Sequence, residues 1–502
     1  MNWKKLQNGS DIRGVALEGV KGENVNLTPK VVTQLGKAFI TWLNKKGHVN
    51  IIVAVGMDSR ISGASLKKAI AEGIVSMGGN VVDCGIASTP AMFMTTKSSN
   101  IKATAGVMLT ASHLPYNRNG LKFFTAEGGL DKRDISEILT IAERGDFAES
   151  SKTGDVEKFD FISEYATSLV TYIRAGANSS EDYDRPLKGA KIIVDAGNGA
   201  GGFFASKVLE PLGADTEGSQ FLKPDGRFPN HVPNPEDAEA MNSICKAVVK
   251  HKADLGIIFD TDVDRAAVVD RKGNPVNRND LIALISAVVL KEHPESIIVT
   301  DSITSDGLTK FIEEELKGVH HRFKRGYKNV IDEAIRLNSE GKECHLAIET
   351  SGHAALKENY FLDDGAYLVA KLLVETAHSR AQGGELTDLI GGLKSPAESR
   401  EFRFSILKDN FSEYGNEVIE KMVEKSALQD DWEVVSPNYE GIRVRCGNDD
   451  ERGWYLLRLS LHDPVMPLNI ESDIEGGVNR IASSLKELLQ SFRELDVSGL
   501  DG

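Results

Sequence analysis

Three aspartates at alternate positions, Asp260, Asp262 and Asp264, close the stretch LGIIFDTDVDR, with Arg265 directly behind them. In extended backbone alternate side chains face one side, and carboxylates gathered there repel one another unless a cation lies between them. Oxygen-only ligands favour Mg²⁺ or Ca²⁺ over zinc. An EF-hand is excluded, because its glycine and twelfth-position acid would fall on Arg265 and Arg271. The spacing therefore predicts a metal loop, expected at a solvent-filled cleft.

Two further stretches place reactive groups after apolar runs. GVML (106–109) stops in TASHLP, which sets Ser112 beside His113, and Lys122 follows in NGLKFF. Ser, Thr and Pro also make turns and helix caps, and no G-x-S-x-G surrounds Ser112, so a serine hydrolase is not indicated. LAIETSGH supplies Glu349, Ser351 and His353 on a glycine turn. A carboxylate acceptor beside a serine suits vicinal sugar hydroxyls, and an ordinary turn would use the same serine and glycine. GNGAGG (197–202) fits G-x-G-x-x-G, but the acid that a dinucleotide site needs further on is poorly supplied by Asp215. Its glycines more simply allow a tight strand-to-helix turn.

The elements that must carry these loops repeat along the chain. NIIVAVGMDSR, KIIVDAGNGAGG and SIIVTDSITSDG are β-branched runs that break into polar turns and lead into helical stretches. Each is followed by a second run: GVMLTASH, LGIIFDTDVDR and LAIETSGH. Continuous apolar runs imply strands covered on both faces, as in parallel or mixed α/β sheets. Ligands bind beyond the carboxyl ends of such strands, so the three second loops are the ones expected to carry function. From about Glu401 the pattern changes to separated strands, REFRFSIL, WEVV, EGIRVRC and GWYLLRLSL, with a helical end. That reads as a small α+β domain.

Length and composition set the frame. At 502 residues, several domains are expected. The formal charge of −15 argues against a nucleic-acid binder, while leaving room for a local basic pocket. Cys84, Cys245, Cys344 and Cys446 are scattered and show no zinc-like spacing. No window nears 18 uninterrupted apolar residues and the N-terminus has no signal-like core, so no membrane partner is expected. The expected location is cytoplasmic, or an organelle if a transit peptide precedes the chain.

Taken together these motifs resemble the α-D-phosphohexomutase superfamily, the phosphoglucomutase and phosphomannomutase enzymes. Its T-A-S-H-N-P, D-G-D-x-D-R, G-E-x-S-G-H, x-D-I-R-G and G-R-D-x-R motifs correspond to TASHLP, DTDVDR, IETSGH, SDIRG and GMDSR. The resemblance implies three related mixed α/β domains and a smaller α+β domain, in a heart-shaped four-domain architecture with boundaries at 1–160, 161–275, 276–392 and 393–502. It implies that Ser112 is a phosphoserine that, with Asp260, Asp262 and Asp264, holds Mg²⁺. It further implies Lys122 as general base and acid, Arg265, His113 and His353 as catalytic helpers, and Arg13, Lys324, Glu349, Ser351, Arg458 and Ser460 as substrate contacts. The implied reaction moves a phosphoryl group between the 1- and 6-positions of a glucose or mannose phosphate through a hexose 1,6-bisphosphate. A phosphoglucosamine mutase, a hexose bisphosphate synthase and a non-catalytic sugar-phosphate binder are the alternatives. A monomer or weak dimer is expected, with a small sugar phosphate as partner.

Departures from the family pattern are Leu114 for its asparagine, Met57 for its first arginine, and Leu461-His462-Asp463 in the loop that grips the distal phosphate. A protonated His462 is expected to help binding there.

Overall fold

A computed structural model of the chain describes residues 2–147, 152–460 and 463–501. Leu461 and His462, and with them the expected role of His462, lie outside the described residues. The chain forms two compact units, Met1–Asn277 with Ser351–Asp388 and Arg278–Thr350 with Leu389–Gly502.

The first unit holds two sheets. In the larger one, strands Ile52–Met57, Asn80–Ile86, Ala105–Leu109 and Val156–Lys158 run parallel. Strand Arg118–Thr125 returns antiparallel to Ala105–Leu109 and carries Asp11–Val15 on its other edge. Residues Ala105–Leu109 are buried throughout, as a strand covered on both faces requires. On one face, helices Pro29–Lys45 and Gly63–Ser76 pack closely. A Cβ on Gly73 would stand 2.2 Å from the Thr33 carbonyl oxygen, so the crossing depends on that missing side chain. Thr28 caps the first helix by accepting from the Val31 amide, with Pro29 at the first helical position.

The second sheet runs Pro275–Val276, Ala266–Asp270, Leu255–Phe259, Ile192–Asp195. Ile192–Asp195 and Leu255–Phe259 are parallel neighbours, and Leu255–Phe259 turns back as Ala266–Asp270. Helix Ala238–His251 covers one face with Ala240, Ile244 and Val248. Helix Phe161–Ala177 packs on helix Gly365–Ala381, where Gly176 meets Val374.

In the second unit Ile297–Thr300 lies between two parallel neighbours, Val319–Arg322 and Cys344–Ile348. Helix Arg278–Glu292 is buried from Leu281 to Leu290, apolar on every side, and so serves as a core helix. Each of the three strand pairs expected from the sequence is thus a pair of parallel neighbours: Val55 opposite Val107, Val194 opposite Ile257, Val299 opposite Ala347.

The C-terminal part is a six-stranded sheet in the order Trp432–Val434, Ile442–Cys446, Gly453–Leu457, Val465–Ser472, Glu398–Ile406, Leu495–Asp496. Helices Phe411–Ser426 and Gly477–Leu489 contribute to its core through Val418, Met422, Ile481 and Leu485. Val465–Ser472 is a strand absent from the strand-like runs read in the sequence. Its Pro467 is tolerated because the ladder with Gly453–Leu457 ends at Leu468, and the proline's carbonyl still accepts from the Arg458 amide at 3.0 Å. The four cysteines are free thiols, and no helix among the described residues is long and apolar enough to cross a membrane.

Candidate active site

DTDVDR is a tight turn between Leu255–Phe259 and Ala266–Asp270, not the extended run the alternation suggested. Val263 adopts φ +66°, a conformation rare for a β-branched residue. This reversal, rather than a strand pleat, gathers the carboxylates: one oxygen from each of Asp260, Asp262 and Asp264 lies within 4.8 Å of the others. The three residues are at most 1 % exposed, so the expected solvent-filled setting is also corrected. Gly199 lets the neighbouring GNGAGG turn press on this loop, since a Cβ there would sit 2.6 Å from the Thr261 carbonyl oxygen. The Ala200 amide donates to that same oxygen at 2.8 Å. The glycines therefore serve close backbone packing.

Ser112 meets the acidic turn from the end of strand Ala105–Leu109. Its Oγ lies 3.1 Å from Asp260 Oδ2, to which it donates, and accepts from Arg265 Nη2 at 3.1 Å. Arg265 Nη2 also reaches His113 Nδ1 at 2.7 Å and Asp260 Oδ2 at 3.2 Å. Lys122, opposite Met108 on the return strand, pairs with Asp264 and with Asp262 Oδ2 at 3.3 Å. Thr89 ties Asp262 from another side through its hydroxyl and its amide. Arg13 reaches the Ala111 carbonyl at 2.9 Å and pairs with Asp11. Arg60, which motif reading left without a role, donates to the carbonyls of Ser112, Leu114, Pro115 and Arg118. One buried guanidinium thus fastens the whole serine loop.

His353 enters beside the turn. Its Nδ1 is 2.6 Å from Asp363 Oδ2 and 3.8 Å from Asp264 Oδ1. Burial disfavours its charged form, but those two carboxylates outweigh it and lift the imidazole to about 9. His113 goes the other way, to about 4, through desolvation of the ring and the positive charges of Arg265 and Arg13. Its Nδ1 is therefore a neutral acceptor for Arg265. Among the aspartates, burial and the other two carboxylates push Asp260 well above its ordinary range. Burial acts likewise on Asp264, but Lys122, His353 and Arg265 hold it well below. One gathered carboxylate is thus costly to ionise while another is kept charged, as close like charges require.

The remaining predicted residues include a second group, inside the second unit. Arg458, at the end of strand Gly453–Leu457, is 8 % exposed and its Nε has no hydrogen-bond partner. Burial lowers its affinity for a proton, opposed by the carboxylates of Glu440, Glu401 and Asp301 and aided by Arg325. Glu440 accepts from Ser302 Oγ and from the Arg325 amide at 3.1 Å. Glu349 accepts from the Gly326 amide at 2.6 Å. Ser460 Oγ accepts from the Asp463 amide at 3.3 Å, and Lys324 is exposed. The division between units falls between Thr350 and Ser351, so Glu349 belongs to the second and Ser351 and His353 to the first.

Arg60, Thr89, Asp363 and Glu440 were not legible as site residues, because each acts through a partner distant in sequence. The nearest sequence signals were the arginine of GMDSR and the paired aspartates of LDDG.

Three family models described as phosphoglucomutase/phosphomannomutase match the chain in order: α/β/α domain I over residues 4–149, domain II over 164–273 and domain III over 277–393. A phosphoglucomutase of Neisseria meningitidis is 29 % identical over 482 residues, covering 96 % of each chain. A phosphomannomutase/phosphoglucomutase of Pseudomonas putida is 31 % identical over 449 residues, 89 % of each. The crystal structure of a phosphoglucomutase/phosphomannomutase family protein from Burkholderia thailandensis superposes with a TM-score of 0.77 at 26 % identity, covering 97 % of each chain.

Proposed function

The chain belongs to the phosphoglucomutase/phosphomannomutase family, and we propose that it is a Mg²⁺-dependent phosphohexomutase working through phosphorylated Ser112. The observation that carries this reading is the placement of Ser112 Oγ, 3.1 Å from both Asp260 Oδ2 and Arg265 Nη2, against a turn of three buried carboxylates, two of them paired with Lys122. A structural serine needs no such company.

The carboxylates fit a cation. Asp262 Oδ1 and Asp264 Oδ1 are buried without hydrogen-bond partners, which leaves two oxygens with unspent acceptor capacity. Asp260, Asp262 and Asp264 would hold Mg²⁺ together with the seryl phosphate. When bound, the ion supplies neutralisation of the phosphoryl oxygens and of the serine oxygen as it leaves.

In the first transfer a hydroxyl oxygen of the hexose monophosphate attacks phosphorus in line. The bond from phosphorus to Ser112 Oγ breaks, and Arg265 Nη2 stays on that oxygen as it gains charge. Lys122, as the neutral amine, takes the hydroxyl proton and passes it to Ser112 Oγ as that oxygen leaves. The bisphosphate then reverses its orientation at Ser112. In the second transfer Lys122 takes the Ser112 Oγ proton as that oxygen attacks the other phosphoryl group and gives it to the freed sugar oxygen, and the isomer leaves. His353, kept charged by Asp363, donates to sugar or phosphoryl oxygen. Arg13 lies at the serine loop for the phosphoryl oxygens. Ser351 of the first unit is assigned to sugar hydroxyls; within the second unit Glu349 is assigned to sugar hydroxyls, and Arg458, Ser460 and Lys324 to the phosphate that is not transferred.

The test is a coupled assay of purified protein with glucose, mannose and glucosamine 1-phosphates, with Mg²⁺ and a trace of glucose 1,6-bisphosphate. Turnover of glucose or mannose phosphate supports the reading. Absence of turnover on every sugar phosphate, with bisphosphate present, refutes it.

A further inference from the structure

The segment KPDGRFPNHVPNPED (223–237) belongs to none of the loops assigned above, yet it touches both arginines that hold Ser112 and its loop, Arg60 and Arg265. Its middle is anchored by a buried ion pair. His231 Nε2 lies 3.0–3.1 Å from both oxygens of Asp195, and its Nδ1 lies 2.9 Å from the Val232 carbonyl. Both ring nitrogens face acceptors, so the ring carries both protons. Asn198 pins the flanks, donating to the Lys223 carbonyl and accepting from Asn230.

On one side of this anchor the segment meets the turn that carries Arg60, the guanidinium that fastens the serine loop. A Cβ on Gly226 would stand 2.4 Å from the Ser59 carbonyl oxygen, and the Phe228 ring lies 5.3 Å from the Arg60 guanidinium. On the other side Asn234 Oδ1 accepts from Arg265 Nη1 at 3.0 Å. It also accepts from the Glu236 amide at 3.1 Å, which fixes which amide atom faces the arginine, since both neighbours are donors. Glu236 Oε2 is 3.8 Å from the same Nη1. A guanidinium is planar and rigid, so holding Nη1 in the plane sets where Nη2 points, and Nη2 is the nitrogen on Ser112 Oγ.

We propose that Asn234 is a positioning residue that orients Arg265 toward the reacting oxygen of Ser112, on a segment anchored by the His231–Asp195 pair. Asn234 does not touch Ser112; it acts through Arg265. The inference rests on the mutase reading given above.

The experiment measures kcat and KM with glucose 1-phosphate, and the rate at which glucose 1,6-bisphosphate phosphorylates Ser112, followed by mass spectrometry. Asn234→Leu and Asn234→Ala remove the acceptor, and Asn234→Asp keeps it. The acceptor-free variants should lose roughly 10- to 100-fold in kcat and in serine phosphorylation, with KM changed by less than about threefold. Asn234→Asp should stay within about threefold of the unaltered chain. In an Arg265→Lys background, whose ammonium has no plane to orient, Asn234→Ala should cost less than about twofold in serine phosphorylation. Thermal midpoints separate folding from orientation, and if Asn234→Leu does not fold, the Ala and Asp variants carry the same comparison. Wild-type kcat in Asn234→Ala, or an undiminished loss in the Arg265→Lys background, overturns the inference and leaves the mutase reading standing. An unaltered chain without mutase turnover overturns the mutase reading, and this inference with it.

Discussion

Ser112 adopts φ +49°, a region that a side chain enters at a cost of roughly 1–2 kcal/mol. The Arg60 bonds to four carbonyls of the same loop offset that cost and hold the hydroxyl at the acidic turn. A strained serine fastened this way fits the nucleophile's part in the proposed reaction. We expect Ser112→Ala to abolish turnover while leaving the thermal midpoint within a few degrees. Peptide mapping of the unaltered chain should find about +80 Da on this serine, the mass of a phosphoryl group. Full turnover in Ser112→Ala would sink the phosphoserine reading. Asp262 tests the cation. Asp262→Asn should raise the Mg²⁺ concentration for half-maximal activity roughly tenfold or more. Activity of the unaltered chain should vanish on chelation and return with Mg²⁺. Chelation without effect removes the metal from the mechanism.

At the scale of elements, the acidic loop is a compromise between a forced turn and close packing. Val263 in the left-handed region and Gly199 against Thr261 both belong to it. Gly199→Ala puts a methyl against backbone that cannot rotate away. It should cost roughly 1–3 kcal/mol of stability and weaken the Mg²⁺ response, read by thermal unfolding with and without the ion. An unchanged midpoint and unchanged Mg²⁺ response would show that the two loops yield independently. Within the second unit, strand Gly453–Leu457 ends at Arg458, which is buried with Nε unspent. Arg458→Ala should raise KM for sugar phosphates by roughly ten- to a hundredfold, on the order of 1.5–3 kcal/mol, with Ser112 phosphorylation intact. Unchanged KM would move the distal phosphate to Arg325 and Lys324.

Across the whole molecule, an excess of acids, 74 against 59 lysines and arginines, coexists with a site for phosphorylated ligands because buried arginines concentrate positive charge locally. Buried charge also makes stability pH-dependent. His231 titrates above its ordinary value: burial opposes its charge, but the bonds and charge of Asp195 prevail. An unfolded histidine titrates near 6.5. Its pairing therefore contributes fully below that pH and is lost as pH rises through the folded value. The stability gap between the unaltered chain and His231→Gln should be widest near about pH 5.5 and close at alkaline pH, as read from denaturation midpoints. A gap that widens with pH would show the ring to be neutral in the fold.

The sequence alone determined the strand pairs and the chemistry-bearing loops, because apolar runs and residue types are local properties. Three parallel pairs, Ile52–Met57 with Ala105–Leu109 among them, follow from β-branched runs that must be covered on both faces. Ser112, Lys122 and the aspartates were legible as motifs. Only the tertiary structure decided how they meet. The aspartates converge through a turn at Val263, although alternation suggested an extended strand, because φ at one residue is set by packing that no spacing records. Strand Val465–Ser472 was hidden by Pro467 and by the loop motif directly before it, and only cross-strand pairing reveals it. Arg60, Asp363 and Asn234 were silent for one common reason. Their partners lie 52–58, 10 and 31 residues away, and a hydrogen bond across such distances exists only once the backbone has brought both ends together.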